Sequence, residues 1–164
     1  MRSLKHSIMN LKKPKFWDYK KPNLISNLLF PLSKLVEIKS HWSKLEKVKL
    51  SGVKTICVGN IYLGGTGKTS IAIEIKKLLD EQNIKSCFIK KDYINQIDEQ
   101  RLLENYGKIF VEKSRIKALK KASSENYKIA IFDDGLQDKD ISYDLMFVCF
   151  NKKNFIGNGR IIPA

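Results

Sequence analysis

Apolar side chains recur along this chain with two periods. Leu24, Ile25, Leu28, Leu29, Leu32, Leu35 and Val36 follow three- and four-residue steps, which predicts one apolar face of a helix kinked at Pro31. After Ser51-Gly52 the pattern changes to short apolar runs separated by longer amphipathic segments. Runs at Lys54–Val58, Ser86–Ile89, Lys108–Val111, Lys128–Phe132 and Asp144–Phe150 read as strands. Segments at about Thr69–Gln82, Asp98–Asn105 and Ser114–Ala122 read as helices. Strands alternating with helices imply βαβ units, hence an α/β fold with a mostly parallel sheet and helices on both faces. The expected organisation is a basic leader with an N-terminal amphipathic helix at residues 1–50, followed by a folded lobe at 51–164.

Composition narrows this picture. The chain has 164 residues, 43% of them hydrophobic, which suits one globular domain or one lobe of a larger protein. Its formal charge is +14, and residues 1–55 carry 13 basic side chains against 3 acidic ones, so the basicity belongs mainly to the front of the chain. Either a Lys-rich solvated surface or an anionic partner accounts for it. Lys outnumbers Arg 27 to 4, which counts against sequence-reading nucleic-acid contacts, so no nucleic acid is expected. No run approaches the roughly 18–20 apolar residues that span a bilayer, and the N-terminus lacks the apolar core of a secretory signal. A cytoplasmic location is expected. Cys57, Cys87 and Cys149 are far apart in apolar runs and read as buried free thiols. The two histidines, His6 and His41, lie outside the expected core, so neither a His-based zinc site nor a Ser/His/Asp triad is expected.

Candidate chemistry begins where the strand at Lys54–Val58 ends. Gly64-Gly65-Thr66-Gly67-Lys68-Thr69 follows it and leads into a helix. Glycines let successive backbone N–H groups converge on phosphate oxygens, and the helix N-terminus adds partial positive charge. Gly64, Gly65, Thr66 and Gly67 are the expected cradle, Lys68 the β/γ-phosphate ligand and Thr69 the magnesium ligand. Tyr62 stands where the usual G-x-x-x-x-G-K-[ST] motif begins with glycine. A second constellation, Asp133-Asp134-Gly135-Leu136-Gln137, closes the strand at Lys128–Phe132. Carboxylates at that edge suit either a tight turn or a Walker B metal site shared with Thr69. The lobe is therefore expected to be of the P-loop NTPase type.

Val58-Gly59-Asn60, the glycine-rich loop, Asp133-Asp134-Gly135-Leu136-Gln137, Gly157-Asn158-Gly159 and Pro163-Ala164 together resemble the tetraacyldisaccharide 4'-kinase family. The resemblance runs from about Phe16 to Ala164 and covers the first half of a typical member. It implies an ATP- and Mg2+-dependent kinase for the 4'-hydroxyl of the lipid A disaccharide precursor. It also implies peripheral seating on the anionic cytoplasmic face of the inner membrane, with a second lobe supplied elsewhere, for instance by a separate C-terminal half. Asp98 would be the base acting on the sugar hydroxyl, with Glu99 beside it as a supporting carboxylate and metal ligand. An N-cap with an acidic first turn is the other reading of that pair. Asp133 would hold metal, Asp134 and Lys68 would be catalytic, and Gln137 would lie in the nucleotide site.

Several positions depart from the family pattern. Its Ser-Arg-Gly-Tyr is Lys90-Lys91-Asp92-Tyr93 here, the Gly and Pro flanking Asp-Glu are Ile97 and Gln100, and the histidine after Gln137 is Asp138. The alternative is a partitioning-type P-loop ATPase working as a nucleotide switch, although Tyr62 and Leu63 occupy the region where such proteins carry a signature lysine. The amphipathic helix, flanked by Lys20, Lys21, Lys34 and Lys39, suits a lipid headgroup region or packing on the sheet.

Overall fold

Why the apolar runs become strands is visible in their burial. The computed structural model describes residues 24–28, 30–31, 34, 47–60, 66–93, 97–136, 138, 140–150 and 152. Five parallel strands form one sheet: β1 (Lys54–Asn60), β2 (Ser86–Lys91), β3 (Ile109–Glu112), β4 (Ile129–Asp133) and β5 (Leu145–Cys149). Their order is β3-β2-β4-β1-β5. β1 sits between β4 and β5, with Cys57 opposite Phe132 on one side and Met146 on the other.

Successive side chains of a strand face opposite sides, so continuous apolar runs need cover on both. Cys57, Cys87, Ile89, Ala130 and Phe132 pack on one face with Ala118, Leu119 and Ala122 of helix α4 (Arg115–Ser124). Val58, Phe88 and Ile131 pack on the other with Ala72 and Ile73 of α2 (Lys68–Glu81) and Leu103 of α3 (Ile97–Glu104). Burying each large side chain such as Phe88 or Phe132 contributes about 1.5–3 kcal/mol. The route of the chain explains which helix goes where. From β1 to β2 to β3 it moves one way across the sheet; from β3 to β4 it turns back. With right-handed crossovers, α2 and α3 share a face and α4 takes the opposite one.

The expected α/β architecture with helices on both faces is therefore present, and each element in the lobe lies within two residues of its expected bounds. All three cysteines are buried and free. Burial pushes the thiols of Cys57 and Cys87 up to about 11 and about 12. One expectation fails in detail. Helices on both faces do not cover the whole sheet: Leu145, Met146, Phe147 and Val148 are exposed, because β5 is an edge strand reached from β4 without an intervening helix.

The chain divides into two compact units, one of Met1–Trp42 with Ile156–Ala164 and one of Ser43–Phe155. The described part of the first includes the short helix α1 (Leu24–Leu28), where Leu24 and Leu28 are more than four-fifths exposed, and Lys34 lies over the Phe30 ring. The basic leader, most of the expected amphipathic face and the Gly157–Ala164 motif fall outside the described residues. Among those described, no helix is long and apolar enough to cross a membrane.

Candidate nucleotide site

The carboxyl edge of the sheet gathers the predicted chemistry. β1 ends at Asn60, and the described chain resumes at Thr66 and Gly67 before α2 starts at Lys68. Gly67 has φ 79°, a left-handed conformation that glycine adopts without the Cβ clash, and its carbonyl accepts the Ile71 N–H at 3.1 Å. No side chain caps this end, and its first turn carries no acidic residue. The leading N–H groups of α2 thus have no side-chain cap among the described residues, and a helix N-terminus of that kind is partly positive and suited to an anion. Gly64, Gly65 and Gln137 lie outside the described residues.

Lys68, in the first turn of α2, reaches back to Asp134, with Nζ 2.9 Å from Oδ1 and both side chains about a quarter exposed. Asp134 itself sits at φ 63°, in the small left-handed region that Asp tolerates better than most residues. Three donors fix this turn. The Asp134 N–H donates to the Val58 carbonyl at 2.8 Å, Arg115 Nη2 donates to the Asp134 carbonyl at 2.6 Å, and the Tyr143 hydroxyl donates to the Gly135 carbonyl at 3.0 Å. A Cβ on Gly135 would lie 2.7 Å from that hydroxyl and 3.0 Å from Cys57 Sγ, so the close approach requires glycine. Arg115 also meets Asp138, the residue in place of the family's histidine, at 3.5 Å.

Asp133, one residue earlier, is buried at the end of β4. Its Oδ2 accepts from Lys90 Nζ at 2.6 Å, while its Oδ1 is buried without a partner. The same Lys90 nitrogen donates to Glu99 Oε2 at 2.6 Å. Lys90 and Asp133 are each 1% exposed, and Glu99, in the first turn of α3, is half exposed. Burial pulls the Lys90 ammonium towards losing its proton, but Asp133 and Glu99 outweigh that and leave its pKa above the ordinary lysine value. Asp98 lies beside Glu99 and is exposed.

Two of the predicted residues thus meet directly, Lys68 with Asp134. Two others, Asp133 and Glu99, are joined through a lysine that the sequence reading passed over as a departure. Thr69 adjoins Lys68 on α2 and is half buried. No three His, Cys, Asp or Glu side chains converge as a metal cage among the described residues. Magnesium needs no such cage, since it is usually held by one or two protein ligands together with water and phosphate oxygens. The orphaned Asp133 Oδ1 is an acceptor suited to such an ion. Arg115 and Tyr143 were also missed; a lone arginine at a helix start was the available signal for the first. The cavity at the amino edge of the sheet, about 430 Å³ between Lys49–Lys54 and Asp144, lies at the opposite end of β1 from all of this.

The family described as "Tetraacyldisaccharide-1-P 4'-kinase" matches residues 25–107 and 97–164. The chain belongs to the tetraacyldisaccharide 4'-kinase family. Among its members, the tetraacyldisaccharide 4'-kinase of Pelagibacter ubique is 56% identical over 156 residues, covering 95% of this chain and 50% of that protein. That of Rickettsia canadensis is 32% identical over 168 residues, covering 92% and 51%. The crystal structure of LpxK from Aquifex aeolicus in complex with ATP superposes with a TM-score of 0.60 at 22% identity, over 76% of this chain and 49% of that one, a likeness of fold. The chain spans about half the length of the curated 4'-kinases it matches. The nucleotide-switch alternative gives way to the kinase family.

Proposed function

We propose that this chain is the nucleotide-binding half of an ATP-dependent kinase that phosphorylates the 4'-hydroxyl of the tetraacyldisaccharide 1-phosphate precursor of lipid A. The observation that carries this reading is the Lys68–Asp134 pair at the open end of α2. An arriving triphosphate offers Lys68 a denser negative charge than one partly exposed carboxylate, so the ammonium exchanges Asp134 for phosphate oxygens. Gly64, Gly65, Thr66 and Gly67 then supply backbone donors. Asp134 is left facing the phosphates from a turn that Arg115 and Tyr143 hold still. Phosphoryl transfer asks mainly for positioning and charge neutralisation, which these groups provide.

Magnesium fits the residues present: Thr69 Oγ1 and Asp133 Oδ1 would hold it, and it would neutralise charge on the β- and γ-phosphate oxygens. Asp98, exposed in the first turn of α3, would accept the proton of the sugar hydroxyl. An exposed Leu24 and Leu28 beside a lysine-rich stretch support peripheral seating on an anionic membrane at the cytoplasmic face. The relatives' length supports a second lobe that completes the acceptor site, whether in the same chain or as a separate C-terminal half.

Titration with a fluorescent ATP analogue tests the core of this. Binding is expected for the chain alone and a loss of at least tenfold in affinity for Lys68→Ala; equal affinity in the two proteins overturns the nucleotide assignment. ATP-dependent phosphorylation of the tetraacyldisaccharide substrate, with the second half present, tests the acceptor, and Asp98→Ala should lower turnover by about 10²–10⁴-fold. Sedimentation with anionic vesicles tests the membrane seat, which Leu24→Asp with Leu28→Asp should weaken.

A further inference from the structure

Lys90 is the last fully buried residue of β2, and its ammonium has one carboxylate on either side. Both contacts are 2.6 Å, to Asp133 Oδ2 and Glu99 Oε2. These are the two carboxylates that the family resemblance implies as metal ligands, and the lysine nitrogen contacts both, as a cation would. Burial matters to the balance. Asp133 is 1% exposed, so its charge needs a counter-charge at all times, and Lys90 supplies one that cannot diffuse away. What Asp133 keeps for an incoming ion is a single oxygen, Oδ1, which is buried and unpartnered.

A divalent cation arriving alone would have to give up tightly held water for that one oxygen while facing a lysine charge close by. One arriving on a triphosphate brings several negative oxygens of its own. We infer that Lys90 is a tethered cation that closes the Asp133–Glu99 carboxylate pair to free divalent metal, so that metal enters this site only together with nucleotide. Lys90 is a positioning residue on this account: it touches neither phosphate nor sugar, and it acts by holding Asp133 in the one-oxygen state and drawing the first turn of α3 to the end of β4. The inference rests on the proposed nucleotide site, but its decisive measurements are made without nucleotide.

Mn2+ is the probe, followed by electron paramagnetic resonance in the whole chain with and without a non-hydrolysable ATP analogue. The unmodified chain should bind no Mn2+ below millimolar concentration in the absence of nucleotide. Lys90→Met should gain nucleotide-free Mn2+ binding by at least tenfold, and adding Glu99→Gln to it should reduce that gain. If Lys90→Met does not fold, the double variant Lys90→Gln, Glu99→Gln keeps the net charge and the hydrogen-bonding groups, and should also gain nucleotide-free binding at Asp133. Micromolar binding by the unmodified chain that disappears in Asp133→Asn overturns the inference. So does a folded variant lacking Lys90 that binds Mn2+ no better than the unmodified chain. A failure of the ATP analogue to bind at all would count against the kinase reading alone, since the nucleotide-free measurements still judge Lys90.

Discussion

Two lysine–aspartate pairs stand at the same edge of this sheet, one residue apart on the acidic side, and they differ in burial. Lys90 and Asp133 are enclosed on every side, and Lys90 holds a second carboxylate. Lys68 and Asp134 are each partly exposed and, among the described residues, are joined by one ion pair. An enclosed pair cannot exchange partners without leaving a bare charge in a poorly polarisable interior, whereas an open one can. The first suits a fixed frame, the second a group that a substrate can recruit.

The sharpest way to break this comparison is to remove each lysine's charge. Lys90→Met leaves Asp133 unpaired in the interior and should lower stability by about 3–5 kcal/mol in urea denaturation. Lys68→Met should lower it by about 1 kcal/mol or less. Similar losses would erase the distinction. Next in size is Gly59→Ala. A Cβ there would lie 2.6 Å from Leu136 Cγ, pressing the Asp133–Gly135 turn away from β1. We expect a loss of about 1–3 kcal/mol and weaker ATP binding by titration, because both aspartates move with the turn.

How much of this was legible beforehand depends on the distance over which residues must be compared. The strand and helix bounds came from local period, and Lys68, Asp133 and Asp134 came from short motifs with a known chemical task. Lys90 did not, although it is the most buried lysine described, because a lysine after Cys-Phe-Ile reads locally as the solvated end of a strand. Its partners lie 9 and 43 residues away, and only the strand order brings β2 beside β4. The same holds for Arg115, whose contact with the Asp134 carbonyl depends on the chain reversing direction after β3. The exposure of β5 is illegible for the opposite reason, since apolar content says nothing of whether a helix arrives to cover the strand.

A contrast at the other end of the strands extends the comparison to a pair of intermediate kind. Asp144 accepts from Lys49 at 2.9 Å and from the Thr55 N–H and hydroxyl at 2.9 and 3.0 Å, and the Lys49 contact first, then Thr55, holds its carboxyl well below the usual range. A lowered folded-state pKa contributes stability that is complete above the ordinary carboxylate value of about 3.9 and is lost as pH falls through the folded value. Asp144→Asn should therefore flatten the fall in stability below about pH 4, by about 1 kcal/mol or less given its partial exposure, in denaturation curves taken across that range. The smallest effect belongs to the bare strand. Met146, 58% exposed on β5, should accept Lys with a change within about 0.5 kcal/mol and with improved solubility at high concentration.

The strand order also governs when the site can exist. β1 is made early, yet its neighbours in the sheet are β4 and β5, the last two of the described strands. At about 5–20 residues per second, ribosomes leave β1 without either flank for several seconds, while β2 and β3 can already pair with each other. The strand that leads into the phosphate loop is thus enclosed last. The Lys68–Asp134 contact, which joins the start of α2 to the end of β4, can therefore form only after Asp134 has emerged.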